Sequence, residues 1–163
     1  MLVVSNTSPI MNLAAVNMLD LLRQQFGEII VPEAVIGELK LDTDYPGTSE
    51  IRSAMSAGWL RQVGLEDDKV AMALKRELDD GEAEAIALAL QLQVESILMD
   101  ERDGRSVAKS MGLIPIGVIG VLVRAKQGGD IDSVKDVLNK LRDEAGFYIT
   151  DNLLKNILSE IGE

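Results

Sequence analysis

The sequence has no cysteine and no histidine. Disulfides, thiolate zinc sites, cysteine nucleophiles and every histidine-based triad or general base are thereby excluded. Any metal must be held by oxygen. Sites built from Asp, Glu and Asn favour hard cations, which puts Mg2+ or Mn2+ first and makes zinc and copper poor candidates. No Gly-x-Gly-x-x-Gly or Walker-type loop is present to support a small-molecule-binding α/β protein. No stretch approaches the ~18 consecutive apolar residues of a membrane span. The first residues, Met-Leu-Val-Val-Ser-Asn, lack the basic start and long apolar stretch of a secretory signal. A soluble cytoplasmic protein with no membrane partner is therefore the expectation. Basic residues are also in short supply, 16 against 27 acids, for a formal net charge of -11. Such a total weakens any case for adhesion to nucleic acid, which usually rests on a basic face. It does not close that case, because carboxylates gathered for a cation count towards the total.

What is present is an ordinary globular composition, 47% hydrophobic and 26% charged over 163 residues. That length suits one domain of residues 1–163, with an α/β core over 1–128 and a helical C-terminal extension over 129–163. Short apolar runs without alternation, at Leu2 to Ser5, Glu28 to Val31, Ser96 to Met99 and Leu113 to Ile116, read as buried parallel strands. Trp59 to Val63 reads as a short edge strand. Helices are expected after Ser8-Pro9, with Ser8 as N-cap and Pro9 at the first helical position. Others are expected through Leu19–Leu22, from Pro32 to Leu39, from Ser49 to Ala57, from Glu66 to Leu78 and from Glu82 to about Leu92. Four more follow, near 102–111, 117–126, 133–144 and 150–161. Alternating strands and helices imply right-handed crossovers and a parallel sheet covered on both faces. Ligands bind such sheets beyond the carboxyl ends of the strands. Asn6 and Asp100 sit at the two clearest strand ends.

Each candidate polar residue has a plain structural reading beside a functional one. Asn6 can order a strand-to-helix turn, and Asp100 can cap the helix after it. Asp79 and Glu82 fit a capping box. Yet Glu82 and Glu84 are the only charges in an otherwise apolar helix, so at least one must face a polar pocket, a cation or solvent; Glu82 is the favoured one. Glu38 can be a solvated helix edge. Met11, Leu13, Met18 and Leu19 are mostly core material, and an exposed fraction could form a homodimer surface.

The segments Val4-Ser5-Asn6-Thr7-Ser8-Pro9, Pro32 through Leu39, Gly81 through Ala89 and Leu98-Met99-Asp100-Glu101-Arg102, in that order and spacing, together resemble the PIN-domain family. A Gly-Arg pair at Gly104-Arg105 and the helical tail are similar to its short prokaryotic members, the VapC-type toxin ribonucleases. The resemblance implies a three-layer α/β/α sandwich with a central parallel sheet. It also implies a Mg2+- or Mn2+-dependent endoribonuclease acting on single-stranded or structured RNA, homodimerisation, and a toxin role opposed by a small antitoxin protein. Carried over residue by residue, the acidic positions fall on Asn6, Glu38, Glu82 and Asp100, with Glu101 adjacent as a further metal ligand. Thr7 or Ser8 takes the neighbouring hydroxyl position. Glu38, Glu82 and Asp100 are then the catalytic carboxylates, and Glu82 or Asp100 would orient the attacking water. Most active members carry Asp where this chain has Asn6, which keeps open an alternative from another class: a catalytically weakened PIN-like protein-interaction module. Lys40, Arg102, Arg105 and Lys109 are the bases available to steer phosphate.

Overall fold

The computed structural model describes residues 2–163; Met1, the first residue of the expected domain, lies outside them. Five strands form one parallel sheet among the described residues: β1 (Leu2–Ser5), β2 (Glu28–Val31), β3 (Leu60–Gln62), β4 (Ser96–Leu98) and β5 (Ile114–Ile116). Their spatial order is β3-β2-β1-β4-β5. The chain therefore winds outward from β1 in one direction through β2 and β3, then restarts at β4 on the other side of β1. A cleft opens where the winding reverses, between the carboxyl ends of β1 and β4.

The period of two along each strand divides the core into two layers. Val3, Ile29, Val31, Leu60, Leu98 and Ile116 face α1 (Thr7–Ala15), α2 (Asp20–Phe26), α8 (Val118–Gln127) and α9 (Val134–Ala145). Val4, Ile30 and Ile97 face the opposite way, onto α6 (Asp80–Leu92) and α7 (Arg102–Ser110). Both faces of the central strands are apolar because both are covered, which is why those strands read as unbroken apolar runs. Helices α3 (Glu33–Glu38), α4 (Thr48–Ala57), α5 (Lys69–Leu74) and α10 (Asp151–Glu160) complete the α/β/α sandwich. No described helix is long and apolar enough to cross a membrane.

Two expectations need correction. Helix α1 starts at Thr7, with Asn6 in extended conformation at its N-cap position. Ser8 is already helical, and its hydroxyl donates to Glu101 Oε1 at 2.6 Å rather than capping its own helix. The helix expected over Glu66–Leu78 is confined to Lys69–Leu74. Its start is delayed because Gln91 takes the Glu66 amide (2.9 Å) and the Asp67 carboxylate turns the chain by accepting from the Lys69 amide (2.9 Å). It then tightens into three-residue turns at Arg76 and Glu77.

Candidate active site

Asn6 enters the cleft directly from β1. Its backbone N–H reaches across the point of reversal to the Leu98 carbonyl (3.0 Å), fixing the residue between the two strand ends. The side chain is buried, and Oδ1 finds no hydrogen-bond partner among the described residues. A buried amide oxygen left unpaired costs about 1–3 kcal/mol, so its orientation needs a reason beyond ordering the turn.

Asp100 stands two residues past β4. Its Oδ1 accepts from the Val118 amide at the start of α8 (2.8 Å), so it does not cap α7; Glu101 occupies that N-cap position. Asp100 Oδ2, like Asn6 Oδ1, is a buried oxygen without a partner among the described residues; the third, Gln25 Oε1, lies on α2. Burial pushes this carboxyl up to about 6, the Val118 amide and the Arg105 guanidinium pull it down, and the Glu101 charge raises it.

Glu82 realises half of the expected capping box, since no bond runs from the Asp79 amide back to its carboxylate among the described residues. Its amide donates to Asp79 Oδ1 (2.8 Å), so Asp79 is the N-cap of α6. The residue is only 6% exposed, and its carboxyl is pushed up to about 7, first by burial, then by the adjacent Asp79. Glu84 has conventional partners instead, the Ala34 amide and the Lys75 ammonium, both at 3.1 Å. Of the two glutamates on α6, Glu82 is thus the one buried without a cation among the described residues.

Glu38 comes in from the last turn of α3. It is half-buried, and its Oε2 accepts from the Thr7 hydroxyl at 2.6 Å. Of the two candidate hydroxyls, Thr7 therefore fixes Glu38 and Ser8 fixes Glu101.

Three glycines, two of them (Gly81 and Gly104) already within the segments that carry the resemblance, make room for these acids. A Cβ on Gly81 would lie 2.9 Å from both Glu38 carboxylate oxygens and 3.0 Å from Asn6 Oδ1. One on Gly104 would strike Met99 Sδ and lie 2.7 Å from Glu82 Oε2, and one on Gly117 would lie 2.8 Å from Asp100 Oδ1. Each glycine sits at or near the start of a helix, where another residue would be favoured on propensity, and each cradles one of the candidate acids. That pairing was the only signal available in the sequence.

Two connected cavities open over the site. The first, about 420 Å³, has Asn6, Thr7, Glu38, Asp79 and Glu101 in its walls. The second, about 630 Å³, is lined by Asp100, Glu101, Arg105 and the C-terminal residues Phe147 and Tyr148; Ser8, Asn12 and Glu101 border both. The structure thus brings Asn6 and Glu38 to one wall, sets Asp100 in the adjoining space, and places Glu101 on the divide. Glu82 is tucked behind Gly104 and lines neither cavity. Among the described residues no three carboxylates form a ready cation cage. An all-oxygen set with two unpaired buried oxygens nevertheless suits a hard cation that keeps much of its water, as Mg2+ does. Of the four candidate bases, Arg102, Arg105 and Lys109 share one face of α7, whereas Lys40 lies over the Tyr45 ring at 4.4 Å.

No curated protein and no solved structure matches the chain. A family model described as PIN domain does match, over residues 2–163, from the first strand through the last helix. The chain belongs to the PIN-domain family.

Proposed function

We propose that this chain is a metal-dependent ribonuclease that hydrolyses phosphodiester bonds with Mg2+ or Mn2+ held at the β1/β4 cleft. The PIN domain is a nuclease-type fold whose members generally use divalent metal ions on nucleic-acid substrates. The observation that carries the reading is that two of the three buried side-chain oxygens without partners among the described residues, Asn6 Oδ1 and Asp100 Oδ2, stand on either side of the cleft where such folds bind ligands.

Asn6, Glu38, Glu82 and Asp100 would hold the cation, directly or through water, with Glu101 as a neighbouring acceptor. When bound, the cation supplies Lewis acidity, lowering the pKa of water and neutralising charge on the phosphate. The protein groups supply placement. Thr7 fixes the Glu38 carboxylate, the Val118 amide fixes one oxygen of Asp100 and leaves the other free, and Arg105 lies beside it with Nη1 donating to the Met99 carbonyl (2.9 Å). Glu82 or Asp100 orients the attacking water by accepting its hydrogen bond. No protein nucleophile is required. Incubating the purified protein with single-stranded RNA and Mn2+, beside Glu82→Gln, tests this: cleavage by the wild type alone is expected. Equal cleavage by both, or by neither, overturns it.

We extend the same reading to a cytoplasmic VapC-type toxin that forms a homodimer and is held in check by a small antitoxin protein. Asn6 favours a second reading, because an amide in the first acidic position removes one unit of negative charge from the site. On that reading the chain is an interaction module built on the nuclease fold. A stable complex with the product of the adjacent gene, together with no cleavage by the protein released from it, would select the second reading over the first.

A further inference from the structure

We propose that the cavity beside α7 is a subsite for a backbone phosphate of a single-stranded polynucleotide, next to the carboxylate cleft. The inference rests on the nuclease reading for the identity of the polymer, but not for the chemistry of the subsite. Arg102, Arg105 and Lys109 follow one another at intervals of three and four residues, so they share one face of the helix. With Ser106 and Asp100 they line a cavity of about 420 Å³. Three cations against one carboxylate is an unusual local balance in a chain of net charge -11. None of the three forms an ion pair among the described residues. Of the two acids flanking Arg102 in sequence, Glu101 borders the two cavities over the cleft and Asp103 lines a different cavity with Glu77 and Leu78.

The donor set selects phosphate. Two guanidinium groups offer forked N–H pairs that match phosphate oxygens, Lys109 adds a point charge, and Ser106 adds a hydroxyl. Arg102 and Lys109 are exposed and free to turn towards a ligand, whereas Arg105 is held by the Met99 carbonyl. The subsite also has a direction. Asp100 and Arg105 line both this cavity and the 630 Å³ cavity, so a phosphate bound on α7 belongs to a chain that continues into the cleft. Along that route stand Phe147 and Tyr148, the latter 84% exposed. An exposed ring beside a phosphate site suits an unstacked base, and such stacking contributes about 1–3 kcal/mol per base without regard to sequence. Stacking of this kind takes a base that is not held in a duplex, which is why the proposed polymer is single-stranded.

The test is the salt dependence of binding, measured by anisotropy with a labelled single-stranded RNA and Mn2+, in a Glu82→Gln background that removes cleavage. Each lost phosphate contact lowers the slope of log K against log[salt] by about 0.7 on a single strand. Arg102→Gln with Lys109→Gln should therefore flatten the slope by about 1.4, whereas Lys135→Gln with Lys155→Gln, an equal charge change on the C-terminal helices, should leave it unchanged. Arg102→Lys with Lys109→Arg should retain the slope, and a duplex of the same sequence should bind at least about tenfold more weakly. A slope equally insensitive to both Gln pairs overturns the subsite, even if the wild type cleaves RNA. No RNA binding at the lowest salt overturns it as well. A flattened slope in a protein whose parent cleaves nothing sustains the subsite while removing the nuclease reading. Competition by polyglutamate as effective as that by unlabelled RNA would overturn the choice of polynucleotide.

Discussion

Without a cation, the cleft should make this protein lose stability as pH rises from about 4 to about 7. Asp100 ionises near 6 in the folded chain against an ordinary 3.8, and Glu82 near 7 against 4.5. Because both folded values are raised, the folded state binds protons that the unfolded chain has already released. The stability they contribute is complete below pH 4 and is gone once pH has passed through the folded values. At about 1.4 kcal/mol for each pH unit separating the folded and unfolded values, each group has an upper bound of about 3 kcal/mol. Solvent reaching the cleft cuts this to on the order of 1–2 kcal/mol each, a large part of the usual 5–15 kcal/mol of a domain. Urea midpoints in EDTA at pH 5 and pH 8 measure the loss. Glu82→Gln and Asp100→Asn should each flatten the profile, and this separates the cleft from the general repulsion of a chain of charge -11. Mn2+ should restore stability at pH 8 far more than at pH 5, since a cation competes with protons for the same oxygens. A midpoint that is level or rising between pH 5 and 8 in EDTA, with both substitutions silent, would refute the reasoning.

Replacing Gly81 by Ala drives a methyl into the Glu38 carboxylate and the Asn6 amide, both movable side-chain ends, while improving helix propensity by up to about 1 kcal/mol. We expect an unchanged or slightly raised Tm together with at least about tenfold weaker Mn2+ binding by calorimetry. Asn6→Asp returns one negative charge to the cleft and should tighten Mn2+ binding by about tenfold, equivalent to about 1.4 kcal/mol, while steepening the fall in metal-free stability at high pH. Glu163 is partly buried, which alone would raise it, but Lys126, the Val134 and Lys135 amides and Ser133 hold it at about 2. With its folded value depressed, its contribution is present above the ordinary carboxylate range and is lost as pH falls towards 2. Glu163→Gln should cost about 1 kcal/mol and speed amide exchange at the start of α9 without altering metal binding.

The sheet was legible because its central strands are buried on both faces and so appear as short apolar runs whose ends are marked by polar residues. Asn6 and Asp100 could be placed at the cleft from those boundaries alone, since the reversal of winding lies between the two strands they follow. The partners of the acids could not be read. Glu38 meets Asn6 only because α3 crosses the start of α6 at Gly81, a contact between segments more than forty residues apart. A glycine there looks like punctuation after Asp79-Asp80 until the carboxylate above it is seen. The start of α1 was misplaced for a related reason: Ser8-Pro9 carries a strong local entry signal, but the hydroxyl is engaged 93 residues away, at Glu101. Local propensity gave way to a tertiary bond.

Charge shows most clearly how a sum misleads where a distribution decides. A total of -11 counts Asp79, Glu82, Asp100 and Glu101, which converge on one cleft, with the acids scattered over the helices. In physiological salt each exposed charge is screened beyond about 8 Å. A polyanion approaching α7 therefore responds mainly to Arg102, Arg105 and Lys109, not to the distant C-terminal acids. The acids of the cleft adjoin this face at Asp100 and leave the cleft itself repulsive to phosphate until a cation occupies it. A nuclease arranged in this way holds its substrate on one side of a site that stays closed to phosphodiesters while empty. On the proposed reading, binding and cleavage should therefore depend on different ions, with monovalent salt weakening the first at α7 and a divalent cation required for the second at the β1/β4 cleft.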